Sequence, residues 1–171
     1  MLASKRYVII KILTSSLFII LLTLPFITNV NASNDNSIDS EYLIRKAIRK
    51  YVISMNKKST EDIISLFDKE GQFIDENFNQ GFSGIKELTD FYNSIFSLNN
   101  RLTFTAFPWK IEIEDSNAFV TCSWSLVSDH GVYNGVYWIS MNKVANEWKI
   151  TKIAALITVV HHYNPPYSLV H

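Results

Sequence analysis

Hydrophobic positions follow two different periods along this chain, and the change between them lies near residue 100. Before that point, apolar residues recur at helical spacing in three segments, at residues 41–56, 59–67 and 85–96. Ser59 and the acidic residues after it form a capping-box-like start for the second segment, and Gly71 is expected to end it. Residues 72–75 alternate as a half-exposed strand does. The pattern therefore predicts three N-terminal helices with one short strand among them.

After residue 100, apolar and polar residues alternate, as in β-strands that bury one face. Five strands are predicted, at residues 102–107, 109–114, 118–127, 132–142 and 148–160. Pro108 interrupts the first two, and turn-forming residues separate the others. Strands at this spacing pair as consecutive antiparallel hairpins. Because the helices come before the strands, we predict an α+β fold in which a curved sheet wraps around the helices.

The first residues have the pattern of a targeting segment. Three basic residues precede an apolar run at residues 12–27, and small residues lead up to Ala32. This pattern predicts a secretory signal peptide at residues 1–32, cleaved after Ala32. The alternative is an N-terminal membrane anchor, but the run is short for a span and contains Pro25. We therefore expect a secreted or periplasmic protein with no stable membrane anchor after cleavage.

The remainder of the chain has the length of one compact domain. We predict a flexible lead-in at residues 33–40, a single domain at residues 41–163 and a C-terminal tail at residues 164–171. All sixteen acidic residues lie after residue 32, whereas three of the sixteen basic residues precede it. The resulting slight negative charge offers no electrostatic footprint for nucleic acid. The single cysteine, Cys122, excludes an intrachain disulfide and is expected to be buried and inert.

Five short segments recur in the order and spacing of a known superfamily. They are Tyr51-Val52 at the end of the first helix, residues 62–67 (DIISLF), the strand that reaches Asp75, residues 84–88 (GIKEL) and residues 147–150 (EWKI). In this order the chain resembles the nuclear transport factor 2-like (SnoaL-like) superfamily. The resemblance covers nearly all of residues 42–156. It implies a cone-shaped fold, in which about three N-terminal helices pack on a curved, mainly antiparallel sheet and enclose one pocket.

The resemblance is most specific to the ketosteroid isomerases within that superfamily. Tyr51 and Asp75 fall where those enzymes carry a pocket tyrosine and the general base, and Tyr137 falls at the place of their protonated aspartic acid. The resemblance therefore implies Asp75 as a base, with Tyr51 and Tyr137 as donors to a developing enolate oxygen. A tyrosine at position 137 departs from the isomerase pattern. The alternatives are that Tyr51 and Asp75 only line the pocket, or that Asp75 orients a turn and Tyr51 packs in the core.

The resemblance implies that Tyr51, Asp75 and Tyr137 face such a pocket, and alternation along the strands adds Phe73, Trp124 and Ile139. The predicted lining is therefore Tyr51, Phe73, Asp75, Trp124, Tyr137 and Ile139. The first hypothesis is a secreted domain with a small, largely apolar pocket that binds an apolar or carbonyl-containing molecule without catalysis. The second is a cofactor-free isomerase or cyclase that uses Asp75, Tyr51 and Tyr137. No phosphate, dinucleotide or metal-binding motif is present, so neither cofactor nor metal is expected.

Two histidines stand at the end of the last predicted strand. SnoaL-like cyclases use His–Asp pairs, so the resemblance implies His161 or His162 as a partner of Asp75. The ordinary alternative is an exposed histidine at a strand end. Adjacent residues of a strand point to opposite faces, so the two cannot easily bind one metal.

The face of the sheet opposite to the pocket carries a large aromatic residue. Trp138 points away from the side that holds Tyr137, and Val132 and Val136 share its face. An apolar set of this kind on an outer sheet favours a buried contact. We therefore predict a two-fold homodimer through the convex sheet. A third hypothesis follows, in which this face binds another protein and the pocket is vestigial.

Overall fold

The computed structural model describes residues 32–162, with side chains described from residue 38 onward. In chain order the elements are α1 (Ala32–Lys57), α2 (Thr60–Ile64), β1 (Phe67–Asp75), β2 (Gln80–Ser83), α3 (Gly84–Leu98), β3 (Leu102–Glu114), β4 (Asn117–Ser128), β5 (Gly131–Val144) and β6 (Glu147–His162). Residues 1–31 of the predicted signal peptide and the tail at residues 164–171 lie outside the described residues. The order is that of an α+β fold, as predicted.

Helix α1 is longer than its apolar pattern predicts. Residues 33–40, which we predicted as a flexible lead-in, belong to this helix. They contain neither Gly nor Pro, so nothing in that polar stretch breaks a helix. The buried face of α1 carries Ile44, Ile48 and Tyr51 at helical spacing. No helix among the described residues is long and apolar enough to cross a bilayer.

The second predicted helix is shorter than expected and ends at Ile64, with two residues between it and the strand that follows. Ser59 caps α2 through its Oγ, which accepts a hydrogen bond from the Asp62 amide at 3.3 Å. The strand β1 then begins at Phe67, so the prediction that Gly71 ends a helix was wrong. Gly71 instead lies where the register between β1 and β6 shifts. A Cβ atom there would lie 2.7 Å from the Phe67 ring, which explains the glycine.

The strands form one mixed sheet of six strands, in the order β2-β1-β6-β5-β4-β3. Strands β3 to β6 pair as consecutive antiparallel hairpins, as predicted. Two features are new: β1 pairs with β6 in parallel, and residues 80–83, for which no element was predicted, form the short strand β2. The two strands predicted on either side of Pro108 are a single strand, because Pro108 sits at a bulge in an edge strand, where its missing N–H is tolerated.

Helix α1 is tied to the edge strand β3 by one amide side chain. Asn56 Nδ2 donates to the Phe104 carbonyl, and the Phe104 amide donates to Asn56 Oδ1, both at 2.8 Å. This pair of bonds holds Tyr51, five residues before Asn56 on the same helix, beside the Phe104 ring at a centroid distance of 5.8 Å. On β4, Cys122 is fully buried, and burial raises the pKa of its thiol to about 12. The thiol therefore stays protonated, as expected of an inert cysteine.

Candidate functional site

A cavity of about 250 Å³ lies between α1, α3 and the inner face of the sheet. Seven of its thirteen lining residues are aromatic: Tyr51, Phe73, Phe91, Tyr92, Phe104, Trp124 and Tyr137. Five more are aliphatic or thioether side chains: Met55, Ile95, Leu126, Ala155 and Ile157. The thirteenth, Asp75, is the one charged side chain that lines the cavity among the described residues. Phe91, Ile95, Leu126 and Ile157 are half-buried, so the cavity opens on their side, whereas Tyr51, Tyr92 and Phe104 form its closed end.

The structure brings together five of the six residues that the sequence predicts for the pocket. Tyr51, Phe73, Asp75, Trp124 and Tyr137 all line the cavity. Ile139 does not, and we correct that prediction. It faces the same side as Tyr137, but it lies two residues further along β5, opposite Val120 and Ile153. All three of these side chains are buried, and they pack as solid core beyond the cavity.

Three tyrosine hydroxyls meet at the closed end of the cavity. Tyr51 Oη lies 3.0 Å from Tyr92 Oη, and the Tyr137 hydroxyl interacts electrostatically with that of Tyr51. Burial raises the pKa of Tyr51, Tyr92 and Tyr137 well above that of an exposed phenol, and their mutual charges raise the pKa of Tyr51 and Tyr137 further. The three phenols are therefore neutral at physiological pH and offer hydrogen bonds without charge.

Tyr92 is a lining residue that sequence reasoning missed. The available signal was its place on the apolar stripe of α3, one turn after the fully buried Leu88. The position of a tyrosine on such a stripe predicts only ordinary packing in the core. Only the fold shows that its hydroxyl reaches Tyr51, which is 41 positions away in the chain.

Trp124 forms a wall of the cavity because a glycine lies beneath it. Its indole stacks on the Tyr137 ring at a centroid distance of 5.1 Å and an angle of 28°. Gly135 is its partner in register on β5, and a Cβ atom there would lie 2.8 Å from the indole and 2.0 Å from the Leu156 carbonyl oxygen. The indole Nε1 is buried and has no hydrogen-bond partner among the described residues.

Asp75 stands at the rim of the cavity, where β1 ends. Its Oδ1 accepts hydrogen bonds from the amides of Asn77 and Phe78, at 2.9 and 3.4 Å. The Asn77 side chain in turn donates to the Ile157 carbonyl and accepts from the Ile157 amide. The carboxylate therefore orients a turn, which was one of the alternatives for it, and that turn is fastened to β6. The Asp75 side chain also lines the cavity.

Neither histidine of the last strand reaches Asp75. In the sheet, Asp75 lies opposite Ala155, and His161 lies six residues further along β6. At about 3.3 Å per residue, six residues separate the two by roughly 20 Å. The His–Asp pair that the resemblance implies is therefore wrong, and the ordinary alternative holds, because both histidines are exposed at the strand end. Within residues 38–162, no group of three His, Cys, Asp or Glu side chains is placed to hold a metal ion.

Known structures share this architecture at low sequence identity. A provisionally assigned scytalone dehydratase from Novosphingobium aromaticivorans DSM 12444 superposes with a TM-score of 0.71 at 16% identity, over 78% of this chain and 93% of that one. A hexachlorocyclohexane dehydrochlorinase, LinA Type2, gives 0.69 at 12% identity, over 78% and 99%. The chain has the nuclear transport factor 2-like fold.

This is the fold of the superfamily that the five short sequence segments resemble. A variant of Rv3472, a Mycobacterium tuberculosis protein of unknown function, also shares it, with a TM-score of 0.66 at 15% identity over 72% of this chain and 75% of that one. No family model and no curated protein matches the sequence. The similarity to these structures therefore establishes the architecture of the nuclear transport factor 2-like fold and leaves the chemistry to the site itself.

The buried phenols predict how stability depends on pH. In the unfolded chain, tyrosines lose their protons at a pH of about 10, whereas the native ones keep theirs to higher pH. The native state then binds more protons, so the free energy of unfolding falls as pH rises above about 10, by up to about 1.4 kcal/mol per pH unit for each phenol. Urea denaturation between pH 8 and 11 measures this slope.

Matched variants separate the cavity phenols from other titrating groups. In Tyr137→Phe the decrease of the unfolding free energy with pH should become shallower by the contribution of one phenol, up to about 1.4 kcal/mol per pH unit. In Tyr42→Phe, whose side chain is exposed on α1, it should stay as in the wild type. Equal slopes in Tyr137→Phe and the wild type would contradict the raised pKa of Tyr137.

Proposed function

We propose that the chain is a secreted protein whose cavity binds a small, largely apolar molecule without changing it. The observation that carries this proposal is the lining: seven aromatic rings, five apolar side chains and neutral hydroxyls around about 250 Å³. Pockets of this composition bind ligands by apolar contact and use a few polar groups to orient them. Export rests on the sequence of residues 1–32, which has the pattern of a secretory signal peptide.

The size of the cavity limits the ligand. A dry engineered cavity of about 150 Å³ holds benzene, and pockets for drug-sized ligands begin at about 300 Å³. A volume of about 250 Å³ therefore suits one ring with short substituents. A four-ring steroid exceeds this volume, so a steroid is a poorer candidate than a one-ring ketone or alcohol, although the sequence resembles ketosteroid isomerases.

The second candidate is a proton-transfer enzyme that acts on a small carbonyl compound. Its support is geometric, because Asp75, Tyr51 and Tyr137 line the same cavity. Two structural neighbours also carry enzyme names, a dehydratase and a dehydrochlorinase. Against catalysis, one carboxylate oxygen of Asp75 is bonded to two turn amides, and no histidine among the described residues lines the cavity to assist it. We therefore rank binding first.

The third candidate concerns the outer face of the sheet. Trp138 points away from the cavity, and in register it lies between Thr121 and Ala154. Val136, on the same face, is half-buried like Trp138, and the aromatic ring of Phe107 nearby is 67% exposed. We propose that this face forms a two-fold homodimer. A different protein on the same face would make the chain an interaction module.

Ligand binding is tested with acetophenone, a neutral one-ring ketone. We expect a saturable change in tryptophan fluorescence on titration, because Trp124 lines the cavity. Ala155→Phe, which places a ring inside the cavity, should abolish the change. Thr105→Phe adds the same ring on the exposed outer side of β3 and should leave it intact. Identical titrations of the wild type and Ala155→Phe would refute binding in this cavity, once circular dichroism shows both folded.

Catalysis is tested by exchange of the methyl protons of acetophenone in D₂O, followed by NMR. If Asp75 is a general base, the wild type accelerates exchange, and Asp75→Asn should lower the rate by about 100-fold or more. The exposed variant Tyr42→Phe serves as the control and should match the wild type. Exchange no faster with protein than in buffer would remove the enzyme and leave the binding proposal standing.

Assembly is tested by sedimentation at micromolar concentration. We expect the mass of two chains for the wild type and of one chain for Trp138→Glu, because a carboxylate at the centre of an apolar contact is costly. Ser94→Glu, exposed on α3, should remain dimeric. A wild-type mass of one chain, unchanged by Trp138→Glu, would end the homodimer proposal.

A further inference from the structure

The charge of the cavity lining restricts which one-ring compounds can bind there. Within the part of the chain that the structure describes, Asp75 is the only charged side chain in the lining, and no Lys, Arg or His lines it. Burial raises the pKa of the three cavity tyrosines, which therefore remain neutral. An anionic ligand would meet a carboxylate with no compensating cation. A cationic ligand would meet an opposite charge.

The Asp75 carboxylate has room for a further partner. Its Oδ1 accepts from the amides of Asn77 and Phe78, while its Oδ2 makes no hydrogen bond to the described residues. None of the ion pairs found within residues 38–162 includes Asp75. The turn holds the carboxylate in place, so its position is set before any ligand arrives, which reduces the entropic cost of binding.

Ala155 keeps the space beside this carboxylate open. In the sheet, Asp75 on β1 and Tyr137 on β5 are both in register with Ala155 on β6, so all three share the inner face. Two strand spacings separate Asp75 from Tyr137, which is roughly 10 Å between their Cα atoms. The methyl group of Ala155 fills little of the gap between them. A small head group therefore fits between a carboxylate and an aromatic ring.

The walls of this gap are suited to a cation. Phe73 precedes Asp75 by two residues on the same face of β1, and its ring lies 6.2 Å from that of Tyr137 at an angle of 88°. Trp124 also packs on Tyr137, with the two rings stacked at a centroid distance of 5.1 Å. Aromatic rings attract ammonium groups through their electron-rich faces, and the attraction grows where water is excluded. A carboxylate opposite such rings is the combination that recognises protonated amines.

We propose that the ligand of this cavity is a one-ring amine in its protonated form, with the ammonium group above Ala155 between Asp75 and Tyr137. This inference rests on the proposed binding function and narrows its ligand class. The ring of the amine lies deeper, among the apolar side chains of the cavity. The nearby hydroxyls of Tyr51 and Tyr137 accept or donate a hydrogen bond to a substituent on it.

Three compounds of nearly equal size test the inference: 2-phenylethylammonium, 2-phenylethanol and phenylacetate. Calorimetric titration of the purified protein at neutral pH and low salt gives the three dissociation constants. We expect the ammonium compound to bind about tenfold more tightly than the alcohol, the range that cation–π and carboxylate contacts provide. Phenylacetate should bind most weakly.

A pair of charge-removing variants locates the preference. Asp75→Asn keeps an oxygen that accepts from the turn amides but removes the charge, so the preference for ammonium over alcohol should shrink to about twofold or less. Asp115→Asn removes one negative charge in the exposed turn between β3 and β4 and should leave the preference unchanged.

The outcomes separate the two proposals. Equal or tighter binding of the alcohol by the wild type overturns the amine inference and leaves the apolar pocket in place. A preference for ammonium that survives in Asp75→Asn also overturns it, because the charge would then act elsewhere. If none of the three compounds binds and acetophenone does not bind either, the binding function itself fails.

Discussion

The parallel pairing of β1 with β6 is the contact on which the rest of the molecule depends. It joins residues that are about half the chain apart, Asp75 and Ala155 among them, and it carries the early strand onto the sheet formed by the later hairpins. Without it, Phe73 and Asp75 would have no position relative to Tyr137. Two features fix its register: the bulge at Gly71 and the bonds from Asn77 to the backbone of Ile157. A slip by one residue would turn Asp75 out of the cavity.

Local pattern predicted the part of the fold in which neighbours in sequence are neighbours in space. Strands β4 to β6 alternate cleanly and are separated by turn-forming residues, so their pairing followed from the chain alone. The beginning of β1 did not follow, because Leu66 and Phe67 suit a helix as well as a strand. Nothing local indicates the parallel partner of β1 either, because that pairing depends on residues about 80 positions later. Long-range pairing of this kind leaves no periodic signal.

The candidate site, like the fold, could be predicted from the sequence only in part. The resemblance to a superfamily placed Tyr51, Asp75 and Tyr137 at one cavity, since it carries the long-range information that periodicity lacks. Alternation alone put Ile139 in the lining, because it identifies the face of a strand but not how far along the strand the open space extends. Tyr92 was missed for the opposite reason, since its helical stripe looked like ordinary core. The depth of a pocket is set by packing between elements, so the sequence pattern of a single element does not predict it.

Asp75 joins a structural role to an exposed charge. One of its oxygens accepts hydrogen bonds from two turn amides, and the residue also lines the cavity. The phenol cluster across the cavity is polar but uncharged, because each hydroxyl finds another hydroxyl nearby and burial suppresses ionisation. The two ends of the cavity therefore differ in electrostatic character, with neutral donors at the closed end and a fixed negative charge at the rim. A ligand that matches both ends can adopt only one orientation.

The bulge at Pro108 has a consequence for how the protein behaves in crowded solution. Strand β3 is a long edge, and a flat, unpaired edge invites a strand from another molecule to add to it. Pro108 removes one donor from that edge, the bulge bends it, and the exposed ion pair of Lys110 with Glu112 places charges along it. Arg45 from α1 also occupies the Pro108 carbonyl with a hydrogen bond of 3.0 Å. The edge next to the exposed rings of Phe107 and Trp109 is thereby a poor template for intermolecular β-sheet, which guards against aggregation.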